Sequence, residues 1–107
     1  MPLLKTQVDF RAHKMEALGH FKGRGKWCGG VAAPDGAIWC VPHCASTWLR
    51  IDVDRQVAAL VGRVPHDTQG HPCQFRGGAL GIDGNVYAIP ADASAALRLN
   101  TSKSSFY

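Results

Sequence analysis

The sequence predicts an all-β protein built from repeated four-stranded antiparallel units, and three observations support this. Residues 26–52 align with residues 74–100 at a constant offset of 48 without a gap, and nine of the 27 pairs are identical. The apolar runs are short, contain β-branched and aromatic residues, and end at turns with proline or glycine. The composition disfavours helices, because the chain has 12 glycines and Glu16 is its only glutamate.

The first two strands of the complete unit form a predicted hairpin. Residues 29–33 are a short run of small apolar side chains, which suits a crowded inner strand. Residues 34–36 then form the turn, because their proline fixes φ at the first corner and their glycine allows positive φ. Residues 37–41 are β-branched and aromatic, and we expect Pro42 to end this second strand because proline cannot donate to a ladder.

The two outer strands of the unit follow from the next apolar runs. Residues 47–52 alternate in character, which predicts a strand with Leu49 on one face and Trp48 on the other. Residues 56–61 are predicted as the fourth strand. The second unit matches the first through its third strand, whereas residues 101–107 turn polar and show only the end of a fourth.

The repeat also predicts the organisation of the chain. A partial copy lies upstream at an offset of 43, where Val8-Asp9 matches Ile51-Asp52 and Leu18-Gly19 matches Val61-Gly62. A four-stranded unit of about 40–50 residues has the size of a β-propeller blade. We therefore expect about two and a quarter repeats of 48 residues: a partial blade with a basic connecting segment at 1–26, a complete blade at 27–73, and a second blade lacking its last strand at 74–107.

The motif of the repeat resembles a known group of propellers. The pattern is Gly29-Gly30-Val31, then Asp35-Gly36 and Ile38-Trp39, then Leu49 and Ile51-Asp52. It resembles the blades of NHL and streptogramin-lyase-like propellers, and it is similar to tandem repeats in uncharacterised proteins of single-celled algae. The resemblance implies blade architecture. Closed propellers have about 4–8 blades, so we expect this chain to be open or to be completed by partner chains.

Charge is concentrated in the first part of the chain. Residues 1–26 hold six basic residues against two acidic ones, and the remaining basic and acidic residues balance. This asymmetry predicts an acidic partner surface, a membrane headgroup layer or nucleic acid, in that order, because no stacking aromatics are interleaved with the basic residues. A solvated basic face without a dedicated partner is the alternative. The candidate partner-binding residues are Lys22, Arg24 and Lys26.

The cysteines have separations that match no zinc-finger or Cys-x-x-Cys spacing. Cys40, His43 and Cys44 form the densest group of potential metal ligands, which Cys28 or Cys73 could complete to four. The second unit holds alanine or aspartate at the equivalent positions, so the repeat does not preserve the set. We expect free thiols in an intracellular reducing compartment and no cofactor, with Cys40, His43 and Cys44 as the candidate metal ligands.

One aromatic residue is not explained by the repeat. Trp39 matches Tyr87 in the second unit, which indicates packing between units. Trp48 matches Ala96, and Trp48 is therefore a candidate partner-binding residue. Asp35 and its identical counterpart Asp83 are interpreted as turn residues that accept local backbone hydrogen bonds.

These observations predict a non-catalytic structural or interaction subunit that docks propeller-type blades onto a larger protein assembly. The expected partners are other protein subunits or copies of this chain, nucleic acid being disfavoured. The longest stretch without charge, residues 36–49, is shorter than the roughly 20 residues of a membrane-spanning helix, so contact with a membrane is expected to be peripheral at most. Residues 1–5 do not resemble a targeting segment.

The resemblances add two further expectations. The algal resemblance implies an accessory subunit of an organellar, photosynthetic membrane complex and a plastid location. The alternative function is a metal-dependent lyase or lactonase acting at the channel of an oligomeric propeller. Streptogramin-lyase-like enzymes are understood to use histidine and glutamate around a metal, and Glu16 alone cannot supply the glutamates of that set.

Overall fold

The computed structural model describes residues 15–65 and 74–101, and in this part of the chain the regular structure consists of strands. Seven strands are present: β1 Trp27–Ala32, β2 Ala37–Pro42, β3 Thr47–Asp52, β4 Val57–Arg63, β5 Phe75–Leu80, β6 Val86–Pro90 and β7 Leu97–Leu99. Strands β1 to β4 form one sheet in chain order, called sheet A, and β5 to β7 form a second, called sheet B. All pairings are antiparallel, so the all-β antiparallel prediction is confirmed.

The two sheets share one pairing register. Trp39 pairs with Arg50 in sheet A, and Tyr87 pairs with Arg98 in sheet B, a shift of 48 residues at both positions. The inner pairs follow the same rule, as Trp27 with Pro42 and Phe75 with Pro90. Both inner hairpins also have a register irregularity near their first strand's start, after Trp27 and after Phe75. The repeated sequence therefore folds twice into the same hydrogen-bond pattern.

The hairpin turns repeat in the same detail. The backbone amide of Ala37 donates to Asp35 Oδ1 at 3.0 Å, and the amide of Asn85 donates to Asp83 Oδ1 at 3.1 Å. Gly36 closes the first turn with a φ of 86° and Gly84 closes the second with a φ of 84°, a conformation that favours glycine. The interpretation of Asp35 and Asp83 as turn residues is confirmed.

The sheets pack face to face, and the two faces in contact are different. In sheet A this is the front face, which carries Val31, Trp39, Val41 and Trp48; its opposite, the back face, carries Ile38, Cys40, Leu49 and Ile51. The 48-residue shift defines the faces of sheet B, whose back face carries Val86, Ala88, Leu97 and Leu99. The front-face residues of sheet A join these back-face residues of sheet B in one core cluster. The contact is therefore front to back.

Backbone and side-chain hydrogen bonds join the sheets at one end. The amide of Gln74 donates to the carbonyl oxygen of His43 at 3.0 Å, and Gln74 Nε2 donates to the carbonyl oxygen of Ala45 at 3.0 Å. The thiol of Cys28 donates to the carbonyl oxygen of Phe75 at 3.2 Å. These bonds fix the start of sheet B against the turn after β2.

Three details differ from the sequence predictions. Pro42 is the last residue of β2 and lies opposite Trp27, because the pairing at that end does not require its missing N–H. Strand β4 continues past Val61 to Arg63, which pairs with Thr47. Residues 15–26 form no strand, although the upstream copy predicts strand structure up to Leu18. The predicted match at Val8-Asp9 and the question of a last strand after residue 101 lie outside the described residues.

Within residues 15–65 and 74–101, no helix has the length and apolar character needed to cross a membrane.

Candidate functional site

The segment before β1 alternates cations with glycines, in the order Lys22-Gly23-Arg24-Gly25-Lys26. Gly23 has a φ of 105° and Gly25 a φ of 53°, both in the left-handed region that side-chain-bearing residues avoid. Two such residues within one turn of chain bend the backbone tightly. Arg24 lies between the two glycines and Lys22 and Lys26 flank them, and all three cations line one cavity.

This segment is anchored to the turn that follows β2. The amide of Cys44 donates to the carbonyl oxygen of Gly25 at 2.9 Å, and the amides of His43 and Ala45 donate to that of Lys26 at 2.9 and 3.2 Å. The Lys26 ammonium also donates to the carbonyl oxygen of Gly23 at 2.9 Å. These backbone hydrogen bonds satisfy the carbonyl oxygens of Gly25 and Lys26 and fix the position of the segment against the turn.

A cavity of about 550 Å³ opens between this segment and the end of sheet A. We call it the basic pocket, and its lining includes His20, Lys22, Arg24, Lys26 and Arg63 together with the thiol of Cys44. Among the residues that the structure describes, no aspartate or glutamate lines it. Among residues 15–65 and 74–101, no carboxylate forms an ion pair with Lys22, Arg24 or Arg63, so their charge faces the cavity and solvent.

An apolar wall completes the basic pocket. Phe21 and Trp27 pack edge to face, with ring centroids 5.4 Å apart and an interplanar angle of 88°. The indole Nε1 of Trp27 donates to the carbonyl oxygen of Thr47 at 2.9 Å, which holds the ring against the first residue of β3. Leu60 lies beside them on the back face and is 54% exposed. The basic pocket thus combines several cations with a preformed aromatic and aliphatic wall.

The two sheet faces outside the core form a second candidate surface. On the front face of sheet B, Ile89 is 51% exposed, whereas its counterpart Val41 in sheet A is 0% exposed. On the back face of sheet A, Ile38 is only half-buried, whereas its counterpart Val86 is fully buried. At these two positions the side chain is buried in one sheet and more exposed in the other, whereas Leu49 on the back face of sheet A is buried. In the part of the chain that the structure describes, no further sheet packs on the front face of sheet B or on the back face of sheet A, and we call these the unmatched faces.

An aspartate, an aromatic ring and an arginine form a repeated cluster beside each hairpin. In sheet A, Trp39 Nε1 donates to Asp35 Oδ2 at 3.0 Å, and the Arg50 guanidinium lies 5.6 Å from the Trp39 ring centroid and 3.5 Å from Asp35 Oδ2. In sheet B the Tyr87 hydroxyl donates to Asp83 Oδ2 at 2.5 Å. This bond lowers the pKa of Asp83 and raises the pKa of Tyr87. In sheet A the cluster holds the hairpin turn, the Trp39 ring and Arg50 together, which is a structural role for the aspartate and the arginine that both units share.

The candidate metal ligands are dispersed. Cys40 lies on the back face, where burial raises the pKa of its thiol, and Cys44 is an exposed residue of the turn after β2. His43 Nδ1 lies 2.8 Å from the carbonyl oxygen of Phe75; because that oxygen only accepts, Nδ1 carries the proton. Within the described part of the chain, no three histidine, cysteine, aspartate or glutamate side chains come together as a metal site. Cys73 lies outside the described residues.

The fourth candidate partner-binding residue, Trp48, is not on the surface. Its side chain is 3% exposed and packs edge to face on Trp39, with ring centroids 6.4 Å apart. The ring belongs to the front face of sheet A, which sheet B covers. The prediction that Trp48 contacts a partner is therefore corrected: it is a core residue. Its counterpart Ala96 directly precedes β7 and is exposed.

The structure brings together the three predicted cations and adds residues that sequence reasoning missed. Lys22, Arg24 and Lys26 line one cavity as a group. Arg63 was missed because β4 ends two residues later than predicted, which brings its last residue opposite Thr47. His20, Phe21 and Trp27 also line the cavity. Phe21 precedes the basic segment and Trp27 follows it, and this placement in the sequence could have indicated an aromatic wall beside the cations.

Comparison with known proteins does not place the chain in a family. No protein-family model matches it, and neither a curated protein nor a solved structure does so.

Proposed function

We propose that this protein is a non-catalytic interaction module whose unmatched sheet faces dock onto further propeller-type sheets, with a second copy of the chain as the partner. The proposal rests on one observation. The front face of sheet A already packs on the back face of sheet B, and within residues 15–65 and 74–101 no further sheet packs on the front face of sheet B or on the back face of sheet A. The same pair of faces is thus available for a contact between copies.

A front-to-back contact between copies is heterologous, because two different surfaces meet. Such a contact continues until a ring closes, and it otherwise forms an open chain of subunits. The described part of each copy contains two sheets. Three copies would supply six, which lies within the range of about 4–8 blades in closed propellers.

The repeated glycine of the inner strand supports this arrangement. A Cβ atom placed on Gly78 would lie 2.8 Å from Val41 Cγ2 in sheet A, so the absence of a side chain lets the two sheets approach. Gly30 has the same place in sheet A, where the three atoms nearest to such a Cβ atom belong to Ile38, Cys40 and Trp39 of its own sheet. The back face of sheet A thus has a glycine at the position where the back face of sheet B receives Val41. By equivalence, Ile89 of a second copy is the side chain that would approach Gly30.

The experiment compares two isoleucine substitutions by analytical ultracentrifugation of the whole chain. Ile89→Asp places a charge on the front face of sheet B, and we expect it to shift the sedimenting species to the single-chain mass of 11.5 kDa. Ile82→Asp is the matched control, because Ile82 is fully exposed in the hairpin turn and lies outside both faces.

Each outcome decides the proposal. It is supported if the unmodified chain and Ile82→Asp assemble to the same degree while Ile89→Asp does not. It is overturned if all three remain single chains at every concentration, or if Ile89→Asp and Ile82→Asp assemble equally. Circular dichroism of each variant shows that the comparison is made between folded chains.

A further inference from the structure

The basic pocket is the strongest feature that sheet-to-sheet assembly does not explain. At the 48-residue offset, the counterparts of Lys22, Arg24 and Lys26 are Gly70, Pro72 and Gln74, all of them uncharged. Building and packing a sheet of this kind therefore does not require cations at these positions. Like charges placed together around one cavity also repel each other, a cost that a bound anion removes.

The geometry favours a small ligand over an extended macromolecule. The cavity of about 550 Å³ is concave and has the size of a small-molecule site, for which about 300–1,000 Å³ is usual. Its cations come from two separate parts of the chain, the segment before β1 and Arg63 at the end of β4, and converge on one space. A surface for nucleic acid or an acidic protein would instead distribute its cations along an exposed face.

The basic pocket is also preformed. Backbone bonds from residues 43–45 to Gly25 and Lys26 fix the segment, and the bond from Trp27 Nε1 to the carbonyl oxygen of Thr47 fixes the apolar wall. A ligand that enters does not need to order the chain, so less of the interaction free energy is lost on binding. The Lys26 ammonium is partly engaged with the carbonyl oxygen of Gly23, which leaves Lys22, Arg24 and Arg63 as the principal charged contacts.

We infer that the basic pocket binds a small organic phosphate. Its phosphate groups would contact Lys22, Arg24 and Arg63, since guanidinium and ammonium groups form charge-assisted hydrogen bonds with phosphate oxygens. Its organic part would lie against Phe21, Trp27 and Leu60, the apolar wall of the cavity. The residues that line the basic pocket belong to one chain, but Trp27 and Leu60 lie on the back face of sheet A, so a docked second copy and the ligand would share part of this surface.

Calorimetric titration of the whole chain tests the inference with three probes: adenosine diphosphate, inorganic pyrophosphate and adenosine. We expect saturable binding of adenosine diphosphate at one site, weaker binding of pyrophosphate, and no saturation with adenosine at the same concentrations. The affinity for adenosine diphosphate should fall as salt rises, because salt screens the cations. Repeating the titration on Ile89→Asp, which keeps a second copy off the back face of sheet A, should give the same affinity or a higher one, and this separates ligand binding from the assembly state.

Two double variants identify the site. We expect Lys22→Gln with Arg24→Gln to raise the Kd for adenosine diphosphate at least about tenfold, the effect of losing roughly one charge-assisted hydrogen bond. Arg55→Gln with Arg76→Gln is the matched control, because it removes two exposed positive charges outside the basic pocket and should leave the Kd unchanged. All four side chains are exposed, so the urea unfolding midpoint should stay close to that of the unmodified chain.

Four results would overturn the inference. They are the absence of saturable binding of adenosine diphosphate, equal affinity for pyrophosphate and adenosine diphosphate, an equal loss of affinity in the two double variants, and tighter binding of a hexaglutamate peptide than of adenosine diphosphate. The last result would assign the basic pocket to an acidic protein partner instead.

Discussion

Val41 and Ile89 have the same position in their two sheets, but the Val41 side chain is 0% exposed and the Ile89 side chain is 51% exposed. Val41 lies on the front face of sheet A and is covered by sheet B, whereas the front face of sheet B has no sheet beyond it among the described residues. Both copies of the repeat thus have an apolar side chain at this position, but only the first, Val41, is buried, while the second, Ile89, is exposed. Covering it with another sheet would remove apolar surface from water at about 25 cal/mol per Å².

The two equivalent glycines should respond differently to alanine. A Cβ atom on Gly78 would lie 2.7 Å from the carbonyl oxygen of Tyr87 and 2.8 Å from Val41 Cγ2, so we expect Gly78→Ala to lower the free energy of unfolding by about 1–3 kcal/mol. A Cβ atom on Gly30 would meet the movable Ile38 side chain at 3.0 Å and the carbonyl oxygen of Trp39 only at 4.0 Å. Gly30→Ala should therefore stay within about 0.5 kcal/mol in urea unfolding of the dilute chain.

The Gly30→Ala substitution also tests the proposed assembly. Because Gly30 lies on the back face that a second copy would cover, Gly30→Ala should weaken association in sedimentation experiments while leaving the fold intact. Equal loss of stability in both variants would contradict the difference that the structure shows between the two glycines.

The thiols of Cys40 and Cys28 provide an internal comparison within one chain. Cys40 is half-buried and lies on the unmatched back face of sheet A. The thiol of Cys28 lies between the two sheets and donates to the carbonyl oxygen of Phe75. Burial raises the pKa of both thiols, so both should react more slowly with iodoacetamide than they do in the unfolded chain. As the chain concentration rises, we expect the labelling of Cys40 to slow further and that of Cys28 to stay constant.

Peptide mass spectrometry measures the two labelling rates separately. If the rate at Cys40 is the same at low and high chain concentration, the back face of sheet A is not covered by a second copy.

The aspartate of the first hairpin should be important for stability. Asp35→Ala removes the acceptor for the amide of Ala37, leaves the buried Trp39 Nε1 without its hydrogen bond and breaks the contact with Arg50. We expect the free energy of unfolding to fall by about 1–3 kcal/mol, the usual effect of an unsatisfied buried donor. Asp83→Ala is the control and should have a smaller effect, since its partner Tyr87 is partly exposed to water.

Urea unfolding followed by far-ultraviolet circular dichroism gives both values. A larger loss for Asp83→Ala than for Asp35→Ala would contradict the interpretation that burial of the Trp39 indole makes the first cluster the more important one.

Stability should decrease in acid through two aspartates. The backbone amide of Arg55 donates to Asp52 and lowers its pKa, with further contributions from Arg50 and Arg55, and the Tyr87 hydroxyl lowers the pKa of Asp83. A carboxylate with a lowered folded-state pKa stabilises the fold above its ordinary value of 3.8, and this contribution is lost as the pH falls through the folded-state pKa.

The urea midpoint should therefore fall as the pH is lowered below about 5. Asp52→Asn and Asp83→Asn should each flatten this dependence. Asp54→Asn is the matched control, because Asp54 follows β3 in the same turn and has none of these hydrogen bonds. If Asp54→Asn flattens the acid dependence as much as Asp83→Asn does, the proposed origin of the effect is wrong.

Much of the strand arrangement could be predicted because local chemistry and the repeat agree. Residues 47–52 were predicted as a strand and form β3 with those bounds, and the turn containing Asp35 forms as expected. Two features depended on pairing partners that a single strand does not reveal. Pro42 is accommodated at the end of β2 opposite Trp27, and β4 extends to Arg63 because Thr47 supplies a pairing position there.

The candidate site was only partly predictable. The positions of Lys22, Arg24 and Lys26 showed a concentration of charge but not that the cations line a cavity, which depends on the bonds from Cys44 and His43 across the end of the sheet. Trp48 was misinterpreted because its counterpart is alanine, and only the packing of sheet A on sheet B shows that its ring is enclosed. Tertiary contacts, and not local patterns, decided both outcomes.

The most direct test of the central claim is the mass of the unmodified chain in solution, measured by light scattering across a series of concentrations. Front-to-back docking of unmatched faces predicts assemblies that are whole multiples of 11.5 kDa, with three copies as the species that supplies six sheets. A mass of 11.5 kDa at every concentration would contradict the claim that a second copy covers these faces.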